Sequence, residues 1–285
     1  MAPKLPLDNA QTAGQFIQAT HGDADAKQYG DSYHLAFADH AFLSRPEVRG
    51  IRFELELLKP DLALRERSID HTIVVFGSAR FISKAAAEQL VAQASDDNAR
   101  LRANTALENS AHYESAREFG RLVASYNKAQ SEAHHRLHIC TGGGPGVMEA
   151  ANRGAFESGD LTIGLNISLP REQNPNPYIT PGLAFRFHYF ALRKMHFVMR
   201  ARAIVVYPGG FGSFDELFEV LTLIQTKKIE PLPVVLVGAQ HWQTVVRFDL
   251  LVNQELIDMD DLKIVHFVDT AADAWSIIRD WYELG

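Results

Sequence analysis

The chain has 285 residues, 46% of them hydrophobic and 22% charged, with a formal net charge of −7, a balance that belongs to a globular protein with a sizeable core. The acid excess excludes a broad nucleic-acid-binding face, which needs basic residues to neutralise phosphates, but leaves room for a local anion site. Cys140 stands alone and can form no internal disulfide, "MAPKLPLDNAQTAGQF" has no apolar core of signal-peptide length, and no apolar run approaches the roughly 18 residues of a membrane span, so a cytoplasmic location is expected, with no membrane partner.

Residues 1–70 read as a helical N-terminal extension. The stretch "PEVRGIRFELELLKPDLALRERSID" carries apolar spacing suited to one or two amphipathic helices, with a break expected near Pro60. From His71 the texture changes to short β-branched runs alternating with helix-length segments: "HTIVVFGSAR", "LHICTGGG", "LTIGLNISLP", "RAIVVYPGG", "PLPVVLVG" and a weaker "KIVHFVD". Near-continuous apolar strands are covered on both faces. Residues 71–285 are therefore expected to form one α/β domain, a Rossmann-like, doubly wound parallel sheet with helices on both sides. The span 81–136 exceeds one crossover and reads as two or more helices, "SKAAAEQLVAQASDDNARLRAN" and "SAHYESAREFGRLVASYNKAQ". The Pro/Asn-rich "NPNPYITPG", 174–182, reads as an irregular loop over the carboxyl edge of the sheet, where open α/β sheets bind ligands. A helix, "AADAWSIIRDWYEL", closes the chain.

Three strand ends run through small residues into a following segment: "FGSAR" (76–80) with Gly77 and Ser78, "TGGGPGVMEAA" (141–151) and "PGGFGSFDE" (208–216). Glycine lets backbone amides approach a ligand, and a helix behind the loop turns unpaired N–H groups and its positive dipole end toward an anion. Glycine clusters after separate strands favour a phosphate site over mere turns. "GGGPGVME" lacks the Lys-Ser/Thr ending of a Walker loop, and neither loop completes G-x-G-x-x-G, since Val147 stands where the last glycine belongs. Nucleoside triphosphatase and dinucleotide dehydrogenase readings lose their motifs.

"FHYFALRKMHFVMRARA", 187–203, reads as a helix on which Phe190, Arg193, Phe197 and Arg200 share one face. Arg193 is then either a surface arginine lying along apolar neighbours or a guanidinium clamp on phosphate or ribose. Asp215 and Glu216 are expected in the first turn after the PGG loop, where the helix dipole favours acids, and Ser213 with Glu216 spells the S-x-x-E capping box. The functional alternative is a carboxylate that orients a water or moves a proton beside a bound sugar phosphate, with Ser213 as a phosphate donor. The histidines show no metal-ligand spacing, with "HH" at 134–135 and "MH" at 195–196 isolated, so no metal is expected. Cys140 reads as a core thiol, and no G-x-S-x-G elbow exists.

Together "GGGPGVMEAANRGA" and "ALRKMHFVMRARAIVVYPGGFGSFDELFEVLT" resemble the LOG ("lonely guy") family, with its GGG loop, RK pair and P-G-G-x-G-[TS]-x-x-E, over roughly residues 71–285. Members were long labelled lysine decarboxylases, yet nothing here identifies a lysine that would hold pyridoxal phosphate, and no cofactor is expected. The resemblance implies hydrolysis of the N-glycosidic bond of a nucleoside 5′-monophosphate, AMP or a cytokinin riboside monophosphate, to free base and ribose 5-phosphate. It places the catalytic pair on Arg193 and Glu216 and the phosphate-binding residues on Gly143, Gly144, Gly210, Gly212 and Ser213, with Lys194 and Asp215 beside them; it also implies a homodimer or higher homo-oligomer. Residues 81–111 look inserted relative to many members. A non-catalytic carrier of a nucleotide or of molybdenum cofactor is the competing reading.

Overall fold

The computed structural model describes residues 31–169 and 174–284; residues 1–30 of the expected extension lie outside them. The chain divides into two compact units between Glu54 and Leu55. In the first, 3₁₀ turns at Asp31–Tyr33, Ala36–Ala38 and Pro46–Val48 flank a short helix α1, His40–Leu43. Asp39 caps α1 by accepting from the Phe42 N–H at 2.9 Å. Arg52 holds this segment by donating to the Leu43 and Arg45 carbonyls at 2.6 and 2.7 Å.

Helix α2, Arg49–Glu66, runs through Pro60 as one helix rather than breaking there. A proline forfeits one amide bond and crowds the preceding turn, but here burial of the proline and of the turn that follows it holds the helix: Pro60, Asp61 and Leu64 are all buried. Asp61 accepts from Arg200 at 2.6 Å, with both side chains almost fully covered, and Leu64 enters the core. The second unit therefore begins before residue 70, ahead of its first strand.

That unit holds a seven-stranded sheet: β1 Thr72–Phe76, β2 His138–Thr141, β3 Thr162–Ile167, β4 Ala184–Phe187, β5 Ala201–Val206, β6 Val234–Val237 and β7 Val265–Val268. The order is β4-β3-β2-β1-β5-β6-β7, and every neighbouring pair is parallel. Runs such as "TIVVF" are buried at every position because helices cover both faces. On one face Val74 and Phe76 pack with Leu192, Phe197, Leu217, Val220 and Trp242. On the other, Ile73 and Val75 pack with Phe119, Val123, Ala151, Trp275 and Ile278.

The helices are α3 Lys84–Gln93, α4 Asp97–Ala129, α5 Val147–Glu157, α6 Phe190–Met199, α7 Phe211–Gln225, α8 Ala239–Val245, α9 Phe248–Asn253 and α10 Ala271–Tyr282. Residues 81–111 are occupied by α3 and the first half of α4. The break between them comes at Asp96, whose carboxylate accepts from the Ala99 N–H at 2.7 Å, and α4 continues unbroken through residues the sequence reading divided. Gly120 of α4 and Gly154 of α5 let the two helices meet backbone to backbone: a Cβ on Gly120 would strike the Ala151 carbonyl, and one on Gly154 the Arg117 carbonyl. β4 was absent from the sequence reading; its "AFRF" alternates exposed and buried residues, the pattern of a short edge strand.

The chain lays down β1 to β4 in one direction, then returns across the sheet to place β5 against the free side of β1. Loops leaving the carboxyl ends of β1 and β5 diverge, the switch point at which doubly wound sheets open a crevice. Among the described residues no helix is long and apolar enough to cross a membrane.

Candidate active site

A cavity of about 1000 Å³ opens at this switch point. The loop after β1 supplies Gly77, Ser78, Ala79, Arg80 and Phe81; the loop before α7 supplies Pro208, Gly209 and Gly210; α7 itself supplies Phe211, Gly212, Ser213, Phe214 and Glu216. Gly142, Met148, Arg193, Phe197 and His241 also line it. The Ser78 N–H donates to the Pro208 carbonyl, and the Ser78 carbonyl accepts from Val147 N–H, both at 3.0 Å. All three glycine-bearing loops are thereby fastened at one residue.

The PGG loop is bare where it meets the cavity. Gly210 is the N-cap of α7 and offers no side chain to its leading amides. A Cβ on Gly210 or on Gly212 would meet nothing within 4 Å, and neither residue has positive φ. Protein packing and backbone strain therefore give no reason for glycine at either place; what their absence of side chain preserves is open space beside a helix N-terminus, the geometry of an anion site.

The expected capping box is not formed. The helix starts at Phe211, so Ser213 is its third residue and Glu216 its sixth, in the second turn. The Ser213 N–H is taken by the Gly210 carbonyl at 2.9 Å. Glu216 instead accepts from Arg193 Nη2 at 3.0 Å, with side-chain exposures of 7% and 14%. Arg193 does not lie out along the surface: its guanidinium sits 5.0 Å over the Phe190 ring and 5.6 Å from that of Phe197, where cation–π attraction helps hold it. Burial pushes the Glu216 carboxyl above its ordinary value against the opposing pull of Arg193 and Lys194, and burial also lowers Arg193, against the pull of Glu216. The pair is thus a carboxylate of raised basicity held in place by a fixed cation.

Of the residues expected at the site, the cavity brings together Gly77, Ser78, Arg193, Gly210, Gly212, Ser213 and Glu216. Gly143, Gly144, Lys194 and Asp215 are not among its lining residues. Gly143 has φ +71°, and a Cβ there would run into Asn166. Its N–H donates to Thr141 Oγ1 at 3.0 Å, while Asn176 bonds the Gly143 and Gly144 carbonyls at 2.9 and 3.1 Å. These glycines make the turn that carries Gly142 to the cavity, and the loop at 174–182 holds that turn down. Lys194 is gripped by Asp215 at 2.9 Å and Glu219 at 2.8 Å. Arg80, Phe81, Phe211 and His241 were not singled out from sequence. "GAQHWQ" has no motif, and only the position of His241 just past a strand end signals it.

No lysine lines the cavity among the described residues, so it offers no amine to hold pyridoxal phosphate. Cys140 is a buried free thiol in β2, its pKa pushed up by burial. Glu132, His134 and His135 do cluster on the surface, with potential ligand atoms within 4.8 Å of one another.

A family model described as "Possible lysine decarboxylase" matches residues 148–278. Pyrimidine/purine nucleotide 5′-monophosphate nucleosidases of Escherichia coli, among them those of strains K12 and O157:H7, are 30% identical over 115 residues, covering 37% of this chain and 25% of theirs. The chain thus matches about a quarter of the length of these curated relatives. Among solved structures, a structural-genomics target matches at 22% identity and TM-score 0.46, covering 74% of this chain and 99% of its own. The molybdenum cofactor binding protein of the phototrophic bacterium Rippkaea orientalis matches at 19% identity and TM-score 0.48, covering 75% and 98%. The span matched by the family model takes in Arg193, the PGG loop and Glu216.

Proposed function

We propose that the chain hydrolyses the N-glycosidic bond of a nucleoside 5′-monophosphate, releasing free base and ribose 5-phosphate. The observation that carries this reading is the buried Arg193–Glu216 pair set in a cavity whose other wall is a bare glycine loop at a helix N-terminus. A phosphate occupies the space kept by Gly210 and Gly212, bound by the leading amides of α7, the Ser213 hydroxyl and the Gly77–Ser78 loop. Binding energy from that group, remote from the reacting bond, orients the sugar.

Cleavage of the C1′–N bond leaves positive charge on the ribose and carries the bonding electron pair to the base nitrogen. Glu216 stabilises the cation and takes a proton from the attacking water as the new C1′–O bond forms; a proton delivered to the departing base completes the balance. Raised basicity suits a general base. Arg193 positions the carboxylate and holds a phosphate or ribose oxygen with its remaining donors. AMP is the first substrate of this reading and cytokinin riboside monophosphates the second; the assembly it expects is a homodimer.

Incubation with AMP, GMP, CMP and UMP, followed by chromatography for free base and ribose 5-phosphate, tests the reaction. AMP should yield both products, and adenosine should react far more slowly. Tight AMP binding with no base released would make the chain a nucleotide carrier. Equal kcat/KM for adenosine and AMP would remove the phosphate cradle.

A further inference from the structure

One corner of the cavity has no part in that mechanism. Phe81, in the loop after β1, lines the wall, and its ring stacks on His112 of α4 with centroids 5.5 Å apart and planes 21° from parallel. His112 is backed by Gly238, where a Cβ would come 3.3 Å from His112 Cε1. Gly238, at φ +90°, is the N-cap of α8, whose third residue, His241, also lines the cavity. His241 Nε2 is buried with no hydrogen-bond partner. Its ring stands at 89° to that of Trp242, with centroids 5.5 Å apart. Trp242 is fully buried and donates Nε1–H to the Val237 carbonyl at 3.1 Å, so the backing of His241 is rigid.

The chemistry of this corner differs from that of the glycine loops. It offers the Phe81 ring and the edge of the His241 imidazole, and Arg80, next to Phe81 in the chain, brings a cation to the same wall. Burial lowers the pKa of both histidines, and for His112 the neighbouring His241 adds to the effect. Neutral imidazole can donate or accept at the edge of a heterocycle, and an aromatic face stacks on any base.

We propose that this corner is the base-binding subsite, with Phe81 as the stacking platform and His241 as the group that discriminates among bases through their hydrogen-bonding edge. His112 acts through Phe81 as a positioning residue. The inference rests on the nucleotide-monophosphate reading above and adds to it which residues choose the base. Both histidines lie outside the ion pair and the glycine loops, and Phe81 stands four residues past Gly77 in the loop after β1, so base selection and phosphate binding fall to different residues.

The test compares binding of AMP with that of ribose 5-phosphate by titration calorimetry, with Glu216→Gln present throughout so that AMP is not consumed. Phe81→Ala should weaken AMP about ten- to hundredfold, the usual loss when a stacking ring is removed, while ribose 5-phosphate binds as before; that retained binding also reports an intact fold. His241→Ala should change the order of affinity among AMP, GMP, CMP and UMP. Equal weakening of AMP and ribose 5-phosphate, or no change in AMP, would overturn the subsite while leaving the phosphate site standing. If the Phe81-intact and His241-intact protein bound neither compound, the nucleotide reading would fall and the subsite with it.

Discussion

Replacing Glu216 with glutamine is the most informative single change, because the side chain keeps its shape and loses only its charge. The amide oxygen can still accept from Arg193 Nη2 across the 3.0 Å contact, so the geometry of the cavity should hold. What disappears is the base: removal of a positioned general base typically lowers the rate about 10²- to 10⁴-fold, and loss of charge stabilisation at the cation adds to it. The stability cost is separate. Arg193, only 14% exposed, would face a neutral partner; retaining one hydrogen bond should limit the loss to about 1–3 kcal/mol, or a fall in Tm of several degrees for a unit of this size. The assays are chromatographic turnover of AMP, calorimetric binding of ribose 5-phosphate and a thermal melt. A folded Glu216→Gln variant that hydrolyses AMP at the parental rate would refute the assignment of the carboxylate.

Three further outcomes follow from charge and packing. Because burial raises the Glu216 pKa, the acid limb of kcat/KM should lie above the ordinary carboxylate range, activity rising with pH as the group ionises. The sign for stability is opposite: a carboxyl that holds its proton more tightly when folded loses stabilisation as pH rises from its unfolded pKa through its folded one. Parental Tm should therefore carry a component that falls across that window and is missing from Glu216→Gln; identical pH profiles for the two proteins would contradict it. Gly154→Val should lower Tm steeply, because even a Cβ there meets the Arg117 carbonyl and the neighbouring helix backbone cannot yield; a melt at the parental temperature would show that α4 and α5 can separate at little cost.

Much of the sheet is legible in the sequence because each core strand is a short β-branched run buried on both faces, as in "TIVVF" and "AIVV". β4 was not, since "AFRF" hides only alternate residues at the edge and follows an irregular loop. Pro60 misled because intrinsic helix preference is a local quantity, whereas the Asp61–Arg200 pair and Leu64 act through tertiary contacts. The capping box misled for a related reason. "SFDE" has the right letters, but α7 begins two residues before Ser213, and Glu216 found a partner 23 residues away. His241 carries only the signal of its place past a strand end, and Phe81 none: both reach the cavity because the segments after β1 and β6 leave the same edge of a parallel sheet.

Ser78 gives the cavity a mechanical character of its own. Its amide and carbonyl tie the loop after β1 to the loop after β5 and to the start of α5, so these three segments form one splice. Pulling on any of them loads the other two. Peeling back the loop after β1 would cost both bonds at once, whereas a side chain such as Phe211, 96% exposed, can rotate without breaking either. Past Arg80 the chain has left the splice, and α3 and α4 follow.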